Sequence, residues 1–274
     1  MNASCRRGSS CFRVLVLCLS LLWSLPVAAQ QLDPIRYTLS FPAPQTHYVE
    51  VEASIPTDGQ PQVDLMMPVW TPGSYLVREY SRHVEGLTAK DAANGVSLPV
   101  EKTRKNRWRV SANRARTIAL RYRVYGREMS VRTNWIDDQF ALLNGAPTFI
   151  TRLESRDRPY EIRLQLPAAW SKSFSGMANP EPNVYRAPDY DTLVDSPIVA
   201  GTPAVYEFTA GEKPHYLVDV GEAGVWDGAR AARDLAKITQ KTIDLPSWDH
   251  DIAALGNADS YSSSSVLDPS ERFR

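Results

Sequence analysis

Four histidines are the residues of this sequence with the clearest potential for metal chemistry. A zinc hydrolase needs two histidines one helical turn apart, as in His-Glu-x-x-His, and a further carboxylate, so that three groups converge on one ion. The histidines of this chain instead lie far apart along the sequence, at His47, His83, His215 and His250. We therefore predict neither a metal site nor a catalytic residue in this chain.

Nucleophilic catalysis has no support from the sequence either. The Gly-x-Ser-x-Gly motif, which exposes a serine on a strand-to-helix turn, does not occur, and Ser74 is interpreted as a turn residue. The cysteines Cys5, Cys11 and Cys18 all lie within residues 1–29. Once that segment is removed, disulfides, thiolate metal ligands and a cysteine nucleophile are all excluded.

Two groups of aspartates have the chemistry for acid/base catalysis or calcium binding. Asp137 and Asp138 are adjacent, so on a strand they would point to opposite faces of the sheet. Asp189, Asp191 and Asp195 lack the glycine and the terminal glutamate of an EF-hand loop. Both groups are interpreted as solvated loop carboxylates.

The segment from Pro68 to Tyr75, Pro-Val-Trp-Thr-Pro-Gly-Ser-Tyr, predicts a rigid and irregular corner that displays its side chains. Proline fixes φ, whereas glycine admits conformations that other residues avoid. Its aromatics belong to a larger set with the chemistry to stack on sugar or peptide, namely Trp70, Tyr75, Tyr80, Trp108 and Trp135. Most of this set is expected to pack in the core, and Trp70 and Tyr75 remain as candidates for lining a substrate cleft.

The elements that position these residues are predicted to be strands. Hydrophobic residues alternate with polar ones in many short runs bounded by Pro, Gly, Asn or Asp, which is typical of amphipathic strands joined by turns. The runs are 35–41, 49–55, 63–67, 118–124 and 162–166, with weaker ones at 206–208 and 216–220. The fold class is therefore mostly β, an antiparallel β-sandwich or a saddle-like domain.

One helix follows these strands. Ala231, Leu235, Ile238 and Thr242 recur at helical spacing between Gly228 and Pro246, which predicts about four helical turns. A lone helix after a β domain has no evident packing partner, so it is interpreted as the start of a following α-rich domain. Residues 246–274 show no sustained period and contain four consecutive serines, which predicts a disordered or non-native tail.

Residues 1–29 are predicted to be a secretory signal peptide. Arg6, Arg7 and Arg13 give a basic start, Val14–Leu25 is apolar, and Val-Ala-Ala at 27–29 resembles a cleavage site. The apolar run is shorter than the roughly 20 residues that a membrane-spanning helix needs. We therefore expect a periplasmic or secreted protein. Without those three arginines the chain is mildly acidic, so we expect neither nucleic acid nor a membrane as a partner.

Three segments, in order, resemble landmarks of the N-terminal domain of the glycyl aminopeptidase family, family sixty-one of the zinc metallopeptidases. The first is Pro68–Tyr75 with 78–84, and the second is Asp189–Pro197 with Gly201. The third is a strand at 215–220 that leads into the helix at 227–243 and resembles the beginning of the family's catalytic domain. The resemblance covers residues 35–245.

This resemblance implies an N-terminal β domain, a thermolysin-like catalytic domain and a C-terminal PDZ domain. It implies zinc as the cofactor of the full-length family, where the metal activates a water molecule and the motif glutamate acts as general base. It implies peptide substrates, bound through a catalytic domain whose motifs do not occur here. The resulting domain boundaries are 1–29 for the signal, 30–210 for the β domain, 211–245 for the start of the catalytic domain and 246–274 for the tail.

Two hypotheses of different class follow. The first is a truncated or frameshifted N-terminal fragment of such an aminopeptidase, which normally frames the peptide cleft, holds no cofactor itself and is inactive alone. The alternative is a self-contained secreted β-sandwich that binds glycan or peptide through its aromatics. An intact enzyme with an unrecognised site has the least support.

Overall fold

A computed structural model describes residues 32–71, 74–154, 158–221 and 227–245. The described residues from Asp33 onwards belong to one compact unit. Among them, no helix combines the length and the apolar character that crossing a membrane requires. The predicted signal at 1–29 and the predicted tail at 246–274 lie outside the described residues.

The unit is built mainly from strands, most of them short. In chain order they are β1 (Ile35–Ser40), β2 (Tyr48–Pro56), β3 (Gln62–Met66), β4 (Val84–Asp91), β5 (Ser97–Leu98), β6 (Val100–Arg104), β7 (Arg107–Ser111), β8 (Thr117–Tyr125), β9 (Trp135–Ile136), β10 (Ala141–Leu143), β11 (Thr151–Arg152), β12 (Tyr160–Gln165), β13 (Lys172–Ser175), β14 (Ala178–Glu181), β15 (Val184–Ala187), β16 (Ile198–Gly201), β17 (Ala204–Ala210) and β18 (Lys213–Asp219). Two α-helices, α1 (Tyr190–Asp195) and α2 (Gly228–Ile243), and two 3₁₀-helical turns at Pro44–Thr46 and Tyr80–His83 complete the described elements.

The main sheet has eight strands in the order β14-β15-β12-β1-β2-β8-β4-β5. Its neighbouring strands pair antiparallel, except that β1 and β12 run parallel. A second sheet has the order β11-β3-β7-β6, a third has the order β13-β16-β10-β9, and β17 and β18 form a separate hairpin. The predicted class, a mostly β and antiparallel domain followed by one long helix, is confirmed.

Apolar residues alternate with outward-facing residues along the strands, and the apolar ones form the core. In β8, Ile118, Leu120, Tyr122 and Val124 are buried, whereas the residues between them face outward. The register with β2 sets Val51 opposite Tyr122, so apolar side chains of both strands lie on one face. Burying each such side chain contributes about 1.5–3 kcal/mol, which makes this face a main source of stability.

Helix α1 corrects the interpretation of Asp189, Asp191 and Asp195 as loop carboxylates. Asp189 is its N-cap, and the carboxylate accepts a 2.7 Å hydrogen bond from the backbone N–H of Thr192. An aspartate at this position satisfies an otherwise unpaired amide of the first turn. The helix is then held by Tyr190, whose buried hydroxyl donates to the carbonyl of Phe149 at 2.9 Å.

Helix α2 begins and ends close to the predicted residues, with Asp227 as its N-cap. The expectation that it would lack a packing partner was wrong, because it packs on the β17–β18 hairpin. Gly228 lies against the ring of Tyr206, and the side chain of Gln240 accepts a 2.9 Å hydrogen bond from the backbone N–H of Gly211. Small residues at both contacts let the helix approach the hairpin closely.

Candidate functional site

The site is built on the corner segment, residues 68–83. Residues 72 and 73 of this segment are not among the described residues. The indole of Trp70 donates to the carbonyl of Ser74 at 2.5 Å, and the backbone N–H of Arg78 donates to the carbonyl of Val69 at 2.6 Å. These bonds fold the segment back on itself. Half-buried Trp70 therefore stabilises the loop, whereas Tyr75 is fully exposed at its tip.

The C-terminal end of the corner segment is attached to the second sheet. In the 3₁₀-helical turn, Ser81 donates a 2.8 Å hydrogen bond to the carbonyl of Lys105, in the turn between β6 and β7. The ammonium of Lys105 in turn lies 2.6 Å from the carboxylate of Glu79. These contacts fix Tyr80, which lies between Glu79 and Ser81, with its side chain buried.

Opposite the corner segment lies the loop between β8 and β9. Its buried Asn134 donates to the hydroxyl of Thr148 at 2.9 Å and accepts from the backbone N–H of Asn144 at 2.8 Å. Asn144 also donates to the carbonyl of Thr133. This amide network holds two loops together, and it supplies rigid walls for the cavities between them and the corner segment.

Three cavities share Tyr80 as a common wall, with volumes of about 310, 230 and 350 Å³. The first lies towards the β8–β9 loop, the second towards α1, and the third under the tip of the corner segment. Besides Tyr80, their walls include His83, Tyr125, Arg127 and Glu128 for the first, Thr71, Arg132, Val194, Asp195 and Pro197 for the second, and Leu76, Val77, Arg78, Arg82 and Glu128 for the third. The segments at 68–84 and 189–197, far apart in sequence, therefore meet at Tyr80.

The surroundings of Tyr80 keep its hydroxyl protonated. Its side chain is only 3% exposed, and burial raises the pKa of the hydroxyl, although Arg78, Thr71 and Arg132 oppose the rise and Glu128 adds to it. Among the described residues, no group meets hydrogen-bonding geometry with this hydroxyl, Thr71 included. The phenol is thus neutral at physiological pH and has an unused hydrogen-bonding group.

His83 lies in two of these cavities. Burial lowers the pKa of its imidazole, the charge of Arg82 lowers it further, and Glu128 partly offsets both. Because an ordinary histidine titrates at about 6.5, a lowered value leaves the ring neutral at neutral pH. Arg82 donates to the ring nitrogen Nε2 at 3.0 Å, which occupies its acceptor lone pair.

The five aromatic residues considered as a ligand-binding platform do not form a common surface. Tyr80 and Trp108 are buried, and Trp135 is half-buried with its indole donating to Asp137 at 2.9 Å. The same carboxylate accepts from the backbone N–H groups of Gln139 and Phe140, so Asp137 organises the turn after β9. Of the two predicted cleft residues, Tyr75 alone presents a free aromatic face.

The described residues do not fit the zinc ion implied by the sequence resemblance. Across the described ranges, no three His, Cys, Asp or Glu side chains are grouped as metal ligands. His47 contacts the carbonyl of Ile136 at 2.6 Å and Arg127 at 2.7 Å, and His215 stacks on Phe208 with ring centroids 5.3 Å apart. These histidines have structural partners, and His250 lies outside the described residues.

Comparison with known families supplies the identity of the β domain. The family described as the peptidase M61 N-terminal domain matches residues 36–202. This chain belongs to the M61 peptidase family. The match includes the corner segment, the β8–β9 loop and α1, which together line all three cavities. The match ends within the loop after β16, so the β17–β18 hairpin and α2 lie outside the matched residues.

The chain is also similar to parts of solved structures. An aminopeptidase N family protein from Idiomarina loihiensis is 33% identical, with a TM-score of 0.70, and the similarity covers 76% of this chain but only 36% of that protein. An M1 zinc metallopeptidase from Deinococcus radiodurans is 14% identical, with a TM-score of 0.39, over 75% of this chain and 52% of that one. Comparison with curated proteins gives no match. The M61 chain thus spans about a third of its Idiomarina relative.

Sequence reasoning missed Arg78 as a site residue, and it considered Tyr80 only as one of five aromatics of which most were expected to lie in the core. Both belong to the first landmark of the M61 domain, but nothing in their types or spacing distinguishes them from their neighbours. What distinguishes them in the structure is that the Tyr80 hydroxyl and the Arg78 Nε–H are buried without a partner among the described residues. The β8–β9 loop likewise carries no sequence signal for a cavity wall.

Proposed function

We propose that this chain is the non-catalytic N-terminal β domain of a secreted or periplasmic zinc aminopeptidase of the M61 family. In this proposal the domain forms one wall of the peptide-substrate cleft, and residues 211–245, with β18 and α2, begin the catalytic domain. The zinc ion and the catalytic residues belong to that domain, because the described residues offer no ligand set. The chain alone does not hydrolyse peptides.

The main support for the proposal is that two segments resembling family landmarks lie together at Tyr80. Residues 68–84 and 189–197 resemble M61 landmarks, and they jointly line the cavity of about 230 Å³ beside α1. Ordinary packing of a β core does not require cavities walled by polar loops at such a junction. A ligand-binding role explains why both landmarks are placed there.

The tip of the corner segment gives independent support. Tyr75, Leu76 and Val77 are consecutive and exposed, and Val131 of the facing β8–β9 loop is exposed as well. Leu76 and Val77 border one of the cavities at Tyr80, and Val131 borders another. Apolar residues exposed together beside cavities are typical of surfaces that contact a ligand or another domain.

The first experiment measures hydrolysis by the purified chain. Glycyl and alanyl p-nitroanilides, with and without added zinc, are expected to show no turnover above a protein-free blank. Zinc-dependent turnover that a chelator abolishes would show that the chain itself is an enzyme, contrary to the proposal.

The second experiment tests the cleft. Residues 36–202 replace the matching domain of the Idiomarina relative, whose own hydrolysis of the same substrates serves as the reference. Tyr75→Ala in this chimera is expected to raise KM several-fold with little change in kcat, because uniform substrate binding is lost. Val96→Ala, an exposed apolar residue on the β4–β5 turn, is the matched control. An unchanged KM for Tyr75→Ala would show that the tip does not contact substrate.

A further inference from the structure

Tyr80 differs from the other buried tyrosines of the described residues. Each of the others uses its hydroxyl in a hydrogen bond inside the protein, as buried polar groups normally do. The pairs are Tyr37 with Ile150, Tyr122 with Thr148, Tyr160 with Thr151, Tyr185 with Ser173 and Tyr190 with Phe149. The Tyr80 hydroxyl is the exception, since it is buried and has no partner among the described residues.

A second buried donor lies beside it. The Nε–H of Arg78 is also buried without a partner among the described residues, and the Arg78 charge is close enough to lower the pKa of the Tyr80 hydroxyl. Both residues line the cavity of about 350 Å³, and the two donor atoms themselves are buried from solvent. Two unpaired donors on one cavity wall are costly unless a ligand supplies acceptors.

The charges around this cavity indicate what kind of acceptor fits. Arg78 and Arg82 are on its wall, and Glu79 is neutralised by its ion pair with Lys105. Glu128 is the opposing negative charge. The balance is modestly positive, which suits a singly charged carboxylate better than a doubly charged phosphate. A carboxylate has two acceptor oxygens for the two donors, and its hydrogen bond with a guanidinium is charge-assisted and therefore strong.

We propose that Arg78 and Tyr80 bind the α-carboxylate of a short peptide. The Arg78 guanidinium and the Tyr80 hydroxyl donate to the two carboxylate oxygens, and the apolar side chains of Leu76 and Val77 contact the peptide next to them. This inference rests on the proposed cleft function and narrows its substrate class. A peptide whose free C-terminus reaches this site is preferred over a longer chain or a blocked one.

The test uses the full chain, with binding followed by backbone amide chemical shifts. The probes are trialanine, trialanine amide and acetate. Trialanine is expected to bind saturably. Its amide is expected to bind at least about tenfold more weakly, because it cannot form the charge-assisted hydrogen bonds of a carboxylate. Acetate is expected to compete with trialanine and to bind more weakly than it does.

Substitutions connect the preference to the two donors. Tyr80→Phe and Arg78→Gln are each expected to reduce the preference for acid over amide to near unity. Tyr185→Phe removes a buried hydroxyl elsewhere and is expected to keep the full preference. If Arg78→Gln does not fold, Tyr80→Phe decides alone, since it removes one hydroxyl that bonds none of the described residues in the free protein.

Several results would overturn the assignment. These are equal binding of acid and amide, no saturable binding of trialanine, acetate binding as tightly as trialanine, or an unchanged preference in Tyr80→Phe. None of them affects the KM of the chimera described above, so failure of the carboxylate site and failure of the cleft function are distinguishable.

Discussion

The guanidinium of Arg158 lies 2.5 Å from the carboxylate of Asp58, although 100 residues separate them in sequence. Arg158 is only 2% exposed and also donates to the backbone carbonyl of Asp33. Arg152 pairs with the same carboxylate and donates to the carbonyl of Pro56 at 2.8 Å. Asp58, in the turn between β2 and β3, therefore joins that turn to the β11–β12 connection.

Asp58→Asn should lower the free energy of unfolding by about 2 kcal/mol, because hydrogen bonds to a charged group are lost and the Arg158 charge stays buried. Asparagine tolerates the positive φ of 54° at this position, so the backbone is not the cause. Urea unfolding near neutral pH measures the effect. Asp64→Asn breaks the more exposed pair with Arg109 and should cost under about 1 kcal/mol. Equal losses in the two variants would contradict the assignment.

The ion pairs of Asp58 with Arg152 and Arg158 also make the stability of the protein sensitive to acid. Burial acts to raise the pKa of Asp58, but hydrogen bonds and charge from Arg152 and Arg158 outweigh it and hold the pKa below its usual value. A carboxylate whose pKa is lowered in the folded state stabilises the fold at pH values above its unfolded-state pKa of about 3.9. This stabilisation is lost as the pH falls through the folded-state pKa. Wild-type stability should therefore decline below about pH 4, and the difference between wild type and Asp58→Asn should shrink there. A difference independent of pH would exclude this ionisation as the cause.

Tyr80→Phe is expected to leave stability unchanged or to raise it by up to about 1 kcal/mol, because a buried hydroxyl without a partner is removed. Tyr185→Phe should instead lower it by about 1 kcal/mol, because its hydroxyl bonds Ser173 at 2.9 Å. Thermal and urea unfolding of both variants give the comparison. A Tyr80→Phe loss as large as that of Tyr185→Phe would mean that the Tyr80 hydroxyl is already bonded in the free protein.

Gly145→Ala should destabilise the junction between the β10–β11 loop and α1 by about 1–3 kcal/mol, the usual cost of overpacking. A Cβ at Gly145 would lie 2.4 Å from the carbonyl oxygen of Leu193 and 2.5 Å from the Cα of Val194, both backbone atoms of α1. Gly176→Ala, where the added methyl meets nothing within 4 Å, should change stability by less than about 0.5 kcal/mol. Equal effects would show that α1 is not closely packed on this glycine.

Gly228→Ala should loosen α2 from the hairpin without unfolding the main sheet. The added methyl would lie 2.4 Å from the ring of Tyr206, so the helix and the hairpin must separate. Hydrogen exchange is expected to speed up along α2 while the amides of β1 and β8 keep their protection. Adding Tyr206→Ala, which removes the obstructing ring, should restore part of the protection. Slower or unchanged exchange along α2 would contradict the contact.

The strands that could be predicted are those with one buried face. In β8 every second residue is apolar and buried, and the same holds for β1, β2 and β12. Two of the strands that lack such a signal are β6, whose last four residues are exposed, and β14, whose residues are all exposed. Both lie at sheet edges, where partner strands rather than hydrophobic periodicity fix the backbone. Helix α2 was predictable because apolar spacing and the Asp227 cap agree.

The candidate site was predictable as a segment but not as a set of side chains. Pro68–Tyr75 indicates a rigid corner, and its two aromatics are its most conspicuous members. Nothing local indicates that Trp70 is used within the loop, or that Tyr80 is buried without a partner. The Trp70 bond is local, to the carbonyl of Ser74, whereas the surroundings of Tyr80 come from distant segments that line the cavities with it.

The parallel pairing of β1 with β12 has a consequence for the order in which the chain can fold. Strand β1 is synthesised before all the other described strands, yet it lies inside the main sheet between β2 and β12, and β12 ends only at Gln165. Until the ribosome has made that residue, one edge of β1 has no partner and is open to pairing with other chains. Contacts this distant in sequence also slow folding. We therefore expect the nascent domain to depend on chaperones that hold unfolded chains, and to complete its main sheet only after most of it has been translated.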